Sequence, residues 1–471
     1  MRRGTFRLII GFATIGAACA ARADDAALQR RIEELERQNK AFAEELKELR
    51  QELGKEKEAE EKAEPVRVEE VERKQGILTE ELRRLRDALV LPETKELKSA
   101  YGLGPAASKV YGIQRGLSIG GYGELNFNNE VADKTGADTF DFLRFVLYFG
   151  YKFNDWIVLN SEVEVEHAAT ESSVSAGSGA VEVEFANLDF LFHPMVNARA
   201  GLVLVPVGFI NEIHEPPFYH GNIRPPVELF ILPTTWRANG FGLFGEPLPG
   251  LQYRTYGITS LNAEGFAADG PREARQSGNR ELAHDWSWVA RLDYSPIPEV
   301  LFGGSVLLGD QGQNERFGDD LDPTSFRKPD VFTQIYDVHF QARTHGLEMR
   351  ALGAYLNLDD AGQLSIDQDV DGPVGNVMLG AYGEIAYDVM PLLWPETAQY
   401  LAPWFRYSWL DTQNDMPAGF ARDPRQRREF YEMGLSYRPI SQVVFKLDYR
   451  IQDSAGGSLP DEIRVGGGYV F

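Results

Sequence analysis

An all-β chain, a 16-stranded antiparallel transmembrane β-barrel behind an N-terminal α-helical coiled coil, is predicted by three observations in this 471-residue sequence. From Leu117 onward the chain falls into segments of roughly ten residues that alternate apolar and polar side chains. Short and long connections take turns between those segments. A heptad seam precedes them, and no run is long and apolar enough for a spanning helix, which leaves the closed barrel as the membrane architecture.

The strands read in order as Leu117 to Asn128, Asp138 to Phe153, Trp156 to His167, Ala180 to His193 and Met195 to Ile210. Ala238 to Pro247, the weakest pattern, and Leu251 to Leu261 follow a long insertion. The second half gives Trp286 to Tyr294, Val300 to Leu308, Val331 to Thr344, Leu347 to Asp359, Asn376 to Met390, Gln399 to Thr412, Arg427 to Ile440, Val443 to Ser454 and Asp461 to Phe471. Asn154-Asp155, His193-Pro194, His345-Gly346 and Ser441-Gln442 are tight turns, whereas His214 to Arg237, Asn262 to Asp285, Gly309 to Asp330 and Asp360 to Gly375 are long. Such a barrel keeps its turns on the periplasmic side and its loops outside, and an even strand count returns the C-terminus to the periplasm.

Faces separate within each strand. Lys446, Asp448 and Arg450 alternate with Phe445, Leu447 and Tyr449. Arg144 sits among Leu143, Phe145 and Leu147. Asp337, His339, Gln341 and Arg343 alternate with Tyr336, Val338 and Phe340. Aromatic clusters at strand ends, such as Tyr148, Tyr151, Phe153 and Trp156, suit an interfacial girdle better than the core of a soluble sandwich. A charged inner face implies water inside. The expected pore-lining bases are Arg144, Arg254, Arg291, Arg343, Arg350, Arg406, Arg438, Lys446, Arg450 and Arg464, with acids gathered on the third and fourth strands at Glu162, Glu164, Glu166, Glu182 and Glu184. The opposing reading is that these charges pair and fill a plugged lumen.

Met1 to Ala23 reads as a secretory signal peptide, with Arg2, Arg3 and Arg7, an apolar run, and Ala21-Arg22-Ala23 as the small-x-small cleavage site. Its removal takes the only cysteine, Cys19, so the mature chain relies on no disulfide. The formal charge of −23 argues against a nucleic-acid partner, which needs a dense basic surface. Residues 24–98 read as a periplasmic stalk. Leu28, Ile32, Leu35, Asn39, Phe42, Leu46, Leu49 and Leu53 follow at alternating steps of four and three, and beyond Pro65 a second seam includes Leu78, Leu82 and Leu85. A seam this narrow must pack on another copy or on its companion segment. A parallel homotrimer is preferred to an intrachain hairpin, with Asn39 setting register. Residues 99–116 read as a linker and 117–471 as the barrel.

The third long connection, about residues 212–237, carries Pro216, Pro217, Pro225, Pro226 and Pro233 and is too aromatic for an exterior loop. It is expected to fold into the barrel as a constriction, presenting Glu212, His214, Glu215, His220, Arg224, Glu228 and Arg237. Metal binding by its histidines and Glu215 is disfavoured by the intervening prolines, so neither metal nor cofactor is assigned. Asp367 to Gly372 matches half of a calcium loop but lacks the closing acid. No catalytic motif stands out, and no enzyme is expected.

The chain ends at Tyr469-Val470-Phe471, and here it resembles bacterial outer-membrane barrels, whose terminal aromatic serves as an insertion signal. With Gly120-Gly121-Tyr122-Gly123-Glu124, the Glu-Pro-Pro-Phe-Tyr and Pro-Thr-Thr-Trp stretches and the seam, it resembles coiled-coil-bearing trimeric porins related to the phosphate-selective porin superfamily. That resemblance implies a trimer of sixteen-stranded barrels with an inward third loop. Phosphate selectivity does not carry over, because lysine is scarce in the barrel. The expected function is passive diffusion of small hydrophilic solutes across the outer membrane of a Gram-negative cell, with lipid around the barrel. A solute-specific channel for an anion or small organic acid and a non-conducting anchor from membrane to cell wall are the alternatives.

Overall fold

The computed structural model describes residues 30–31, 33–48, 73–81, 98–131, 138–167, 179–316, 328–366 and 372–471. The chain forms two compact units, Met1–Glu96 and Leu97–Phe471. In the first, residues 33–48 and 73–81 are helical. Leu35, Leu46 and Leu78 are buried, and Asn39 Nδ2 lies 3.5 Å from Thr79 Oγ1, a contact within one chain. Leu28, Ile32, Leu49, Leu82 and Leu85 of the seam, the signal peptide and Asp367 to Asp371 of the acidic loop lie outside the described residues. No described helix is long and apolar enough to cross a membrane.

The second unit is a closed antiparallel barrel of sixteen long strands. They are β1 Gly116–Val131, β2 Thr139–Lys152, β3 Ile157–Glu166, β4 Ala180–His193, β5 Val196–Leu204, β6 Arg237–Leu248, β7 Leu251–Thr259 and β8 Trp286–Ile297. The second half is β9 Val300–Gly309, β10 Thr333–Thr344, β11 Leu347–Leu358, β12 Val377–Tyr387, β13 Tyr400–Asp415, β14 Arg427–Ile440, β15 Val443–Ser454 and β16 Asp461–Val470. The two-residue Gly457–Ser458 folds back on β15. Each strand pairs with the next, and β16 closes on β1 from Tyr122↔Val470 to Val131↔Asp461. Phe471 extends the seam by exchanging hydrogen bonds with Gly121 at 3.0 and 2.9 Å. Closure satisfies every edge, which hydrocarbon demands.

The expected alternation holds along the wall. In β15, Val444, Lys446, Asp448 and Arg450 are buried while Phe445 and Leu447 are exposed. The outward face carries Phe140, Phe241, Trp286, Trp288 and Val338 among many exposed apolar side chains. Its aromatics form a belt at each end. Tyr151 with Phe153 and Trp156 with Phe192 mark the short-turn end, at 4.9 and 6.1 Å between rings. Tyr336 with Tyr355 and Tyr407 with Tyr431 mark the long-loop end, at 6.1 and 5.0 Å. A soluble protein would bury such a band; a bilayer supplies its partner.

Two differences from the sequence reading exceed a few residues at a strand end. The strand expected from Met195 to Ile210 ends at Leu204, because Pro206 has no donor for the ladder and Val205 N turns instead to Trp236 O at 3.0 Å. The stretch read as a linker is packed in the barrel unit. Leu103, Ala106 and Ala107 are buried with Tyr122, Tyr148 and Phe185 of the wall, and Val110 is buried too. Asn160 Nδ2 donates to Ala107 O at 2.9 Å and Tyr111 donates to Asp189 Oδ2 at 2.5 Å. Its small residues let backbone approach backbone, which a pattern search for periodic apolar runs does not register.

The described parts of the long loops also pack on the barrel. Leu261, Ala263, Phe266, Ala274, Val331, Leu364 and Val374 join Val227, Ile231, Leu232 and Trp236 in one apolar cluster against the wall residues Ile258, Val289, Leu307, Ile335 and Leu356. Its wall members run from Val203 on β5 to Phe430 on β14.

Candidate functional site

Residues 205–236 leave β5, cross the lumen and return to β6, meeting side chains of strands far away in sequence. The first turn is held by one carboxylate. Glu228 Oε2 accepts from Phe209 N and Ile210 N at 2.7 Å each, and its Oε1 accepts from Tyr382 of β12 at 2.6 Å. Gly208 is required there: its φ is +60°, and a Cβ would sit 2.6 Å from Glu228 Oε2. Asn211 ties both ends of the segment together, donating to Val205 O and Trp236 O at 2.7 and 2.8 Å while accepting from Trp236 N at 2.6 Å.

Farther along, wall cations grip the segment's carbonyls. Arg438 donates to Pro217 O at 3.1 Å, Arg350 to Phe218 O at 3.3 Å, Arg406 to His220 O at 2.6 Å and Lys446 to Gly221 O at 2.8 Å. Proline-rich, extended backbone has carbonyls without partners, and these four bases satisfy them. Asn222 anchors the far side, donating through N and Nδ2 to Asp448 Oδ2 at 2.8 and 2.6 Å. Tyr219 donates to Glu124 of β1 at 2.9 Å, and Pro216 packs so closely on β16 that a Cβ at Gly468 would fall 2.4 Å from it.

The expected constriction and wall residues lie within the barrel unit, in unequal roles. Glu212 faces Arg254 at 3.3 Å and Arg291 at 3.7 Å. His214 meets Glu184 at 3.1 Å and Glu162 at 3.6 Å. Glu215 accepts from Ala106 N at 3.3 Å, and His220 Nδ1 lies 3.1 Å from Ser436 Oγ. Arg224 is buried beside Tyr219, and Arg237 pairs with Glu182. Among the wall bases, Arg144 meets Glu164 at 3.1 Å, Arg291 meets Asp293 at 2.8 Å, Arg450 meets Glu432 at 3.5 Å and Arg464 meets Asp448 at 2.7 Å. Arg254 also pairs with Asp293. These bases were expected to face water, and instead they are buried in networks with acids. Arg343 and Arg438 differ, with side chains 48% and 25% exposed beside Glu348. At the long-loop end, Glu166 and Glu182 keep comparable exposure, 32% and 39%. Charge therefore stays partly exposed at both ends, through Glu166 and Glu182 under the loops and through Arg343 and Arg438 above the turns, with the crossing segment between.

Within that segment, burial alone would lower His214, but Glu162 and Glu184 more than reverse it and raise the imidazole to about 10. Burial raises the Glu215 carboxyl to about 7. It also raises Glu228, against its hydrogen bonds from Tyr382, Ile210 and Phe209. Neutral anchors such as Tyr382, Asn211 and Asn222 escaped the sequence reading, which followed charge. The one available signal was Tyr382 on the polar-facing parity of β12.

Fold and site together define a transmembrane β-barrel whose lumen is crossed by its own third long connection. The chain belongs to the same family as an uncharacterized protein of Aquifex aeolicus (strain VF5), to which it is 34% identical over 375 residues, 78% of this chain and 82% of that one. No family model matches it. Among solved structures it is similar to OmpF of Salmonella typhi in complex with daunomycin (TM-score 0.48, 13% identity, 76% of this chain and 98% of that one). It is also similar to the outer membrane channel DcaP of Acinetobacter baumannii (TM-score 0.46, 12% identity, 75% and 97%).

Proposed function

We propose that the protein is an outer-membrane porin that passes small hydrophilic solutes or ions along a narrow path beside the crossing segment. The observation that supports this most is the pair of solvated, oppositely charged vestibules inside the barrel, Glu166 and Glu182 at one end and Arg343, Glu348 and Arg438 at the other. A non-conducting barrel has no use for charge that reaches water inside it, since solvated ionisable residues on a lumenal face tune what enters. The segment's constriction residues are Glu212, His214, Glu215, His220, Arg224, Glu228 and Arg237, and the path requires neither catalysis nor a cofactor. The first unit serves as a periplasmic stalk, and the chain works as a homotrimer.

Planar-bilayer recording of the purified mature chain tests the reading. Stepwise conductance in threes is expected, and deletion of Pro216 to Pro226 raises each step. Silent bilayers from both forms overturn the channel and leave the structural anchor. Saturable block by one solute, with little open conductance otherwise, moves the assignment to a solute-specific channel.

A further inference from the structure

Three side chains from separate elements converge where the crossing segment meets the wall: His214 from the segment, Glu162 from β3 and Glu184 from β4. Their exposures are 3%, 0% and 1%. Both Glu162 oxygens, Glu184 Oε2 and His214 Nε2 form no hydrogen bond of good geometry, and His214 Nε2 meets the two carboxylates only as an ion pair. A buried polar atom without a well-formed hydrogen bond costs free energy, and one ion at the point these atoms share would satisfy them together.

We propose that Glu162, Glu184 and His214 form a binding site for a divalent transition-metal ion of the Zn²⁺ type, which staples the crossing segment to the barrel wall. His214 Nε2 lies 3.1 Å from Glu184 Oε2 and 3.6 Å from Glu162 Oε1. Two donors on one tetrahedral Zn²⁺, with bonds of about 2.0–2.1 Å, stand about 3.3–3.4 Å apart, midway between those distances. One ligand atom from each of the three residues lies within 4.8 Å of the others, close enough for side-chain rotation to bring all three onto one ion.

The surroundings suit the ion. His214 Nδ1 lies 3.3 Å from Asn211 O, so an Nδ1–H donor leaves the Nε2 lone pair turned to the carboxylates, the arrangement that orients a metal-binding imidazole. Arg237 approaches Glu184 through Oε1 at 3.7 Å, which leaves Oε2 for the metal. Two carboxylates and a neutral imidazole carry a charge that one divalent ion cancels. The Tyr122 hydroxyl, also buried without a hydrogen bond and edge-on to the His214 ring, stands near as a further oxygen. The sequence reading looked for ligands within the proline-rich stretch itself. Here two of the three come from neighbouring strands, paired at Glu162↔Phe185 and Val163↔Val183 around a bulge. That bulge re-aims Glu184 alongside Glu162.

The test uses the full mature chain refolded in detergent with Zn²⁺, stripped on chelating resin and assayed for metal by mass spectrometry. About one Zn²⁺ per chain is expected for the wild type, falling at least tenfold in Glu162→Gln and Glu184→Gln variants that still show the heat-modifiable mobility of a folded barrel. Should either variant not fold, wild type loaded with Co²⁺ decides: the intense visible absorption of low-coordinate Co²⁺ supports the site, and only the faint absorption of aqueous ion overturns it. Wild type holding no more Zn²⁺ than the variants also overturns it, and the cluster is then a protonated ion pair. Metal content is independent of conductance, so failure here leaves the channel reading standing.

Discussion

Arg406 is where the lumenal network most directly supports the crossing segment, and replacing it by alanine gives a sharp prediction. Its guanidinium donates to Glu384 at 2.9 and 2.5 Å, to Glu432 at 3.1 Å and to His220 O at 2.6 Å, and it is fully buried. After Arg406→Ala, Glu432 keeps Arg450 at 3.5 Å and Arg464 at 3.2 Å, so its charge stays compensated. Glu384 loses its ion-pair partner, and the His220 carbonyl loses a charge-assisted bond. An orphaned buried charge costs about 3–5 kcal/mol, to which the carbonyl adds toward the upper end. Arg406→Ala combined with Glu384→Ala removes the orphan, so the double variant should be less destabilised than the sum of the singles by about 2 kcal/mol. Urea unfolding in detergent micelles, followed by the heat-modifiable band, measures all four proteins. A single-variant cost below about 1 kcal/mol, or strict additivity, refutes the claim that Arg406 holds a desolvated network.

Other consequences follow from the same geometry. Glu228 has a carboxyl raised above its ordinary 4.5 by burial, so its contribution to stability is complete below that value and declines as pH rises through the folded-state value. Wild type should therefore lose stability relative to Glu228→Gln as pH climbs from 4.5, and a pH-independent difference contradicts this. Val338, 70% exposed on the outer face between Gly304 and Gly353, should tolerate Arg badly, by about 2–4 kcal/mol in lipid, whereas a soluble surface would accept it. On the porin reading, exposed acids at one end and exposed bases at the other should make the current rectify, and Arg343→Ala should weaken that asymmetry; an unchanged current–voltage curve speaks against it.

The strand count and parity were legible because lipid on one side and a charged lumen on the other enforce strict alternation, so Phe445, Lys446, Leu447 and Asp448 announce their faces. The crossing segment was legible through its prolines and aromatics, but its start was not. The apolar run through Val203, Val205 and Val207 continues the strand pattern past the point where Pro206 breaks the ladder. The packed stretch at Leu103 to Val110 was missed because small residues that fill a lumen look like a linker when read for periodicity. His214 was read with its sequence neighbours, whereas its partners Glu162 and Glu184 reach it only once β3 and β4 are paired. The charged lumen was anticipated by residue type and its pairing was weighed as the opposing reading, but which acid meets which base was not legible, since each ion pair depends on strand register.

The most direct test of the barrel's inside-out arrangement uses its own tryptophans. Trp288 is 48% exposed on the outer face, and Trp236 is 1% exposed at the end of the crossing segment. Two variants, each keeping one of these as its sole tryptophan, are reconstituted in bilayers with and without brominated acyl chains. Strong fluorescence quenching of Trp288 and none of Trp236 is predicted. Equal quenching of both, or of neither, contradicts a lipid-facing apolar row around a segment held in the lumen.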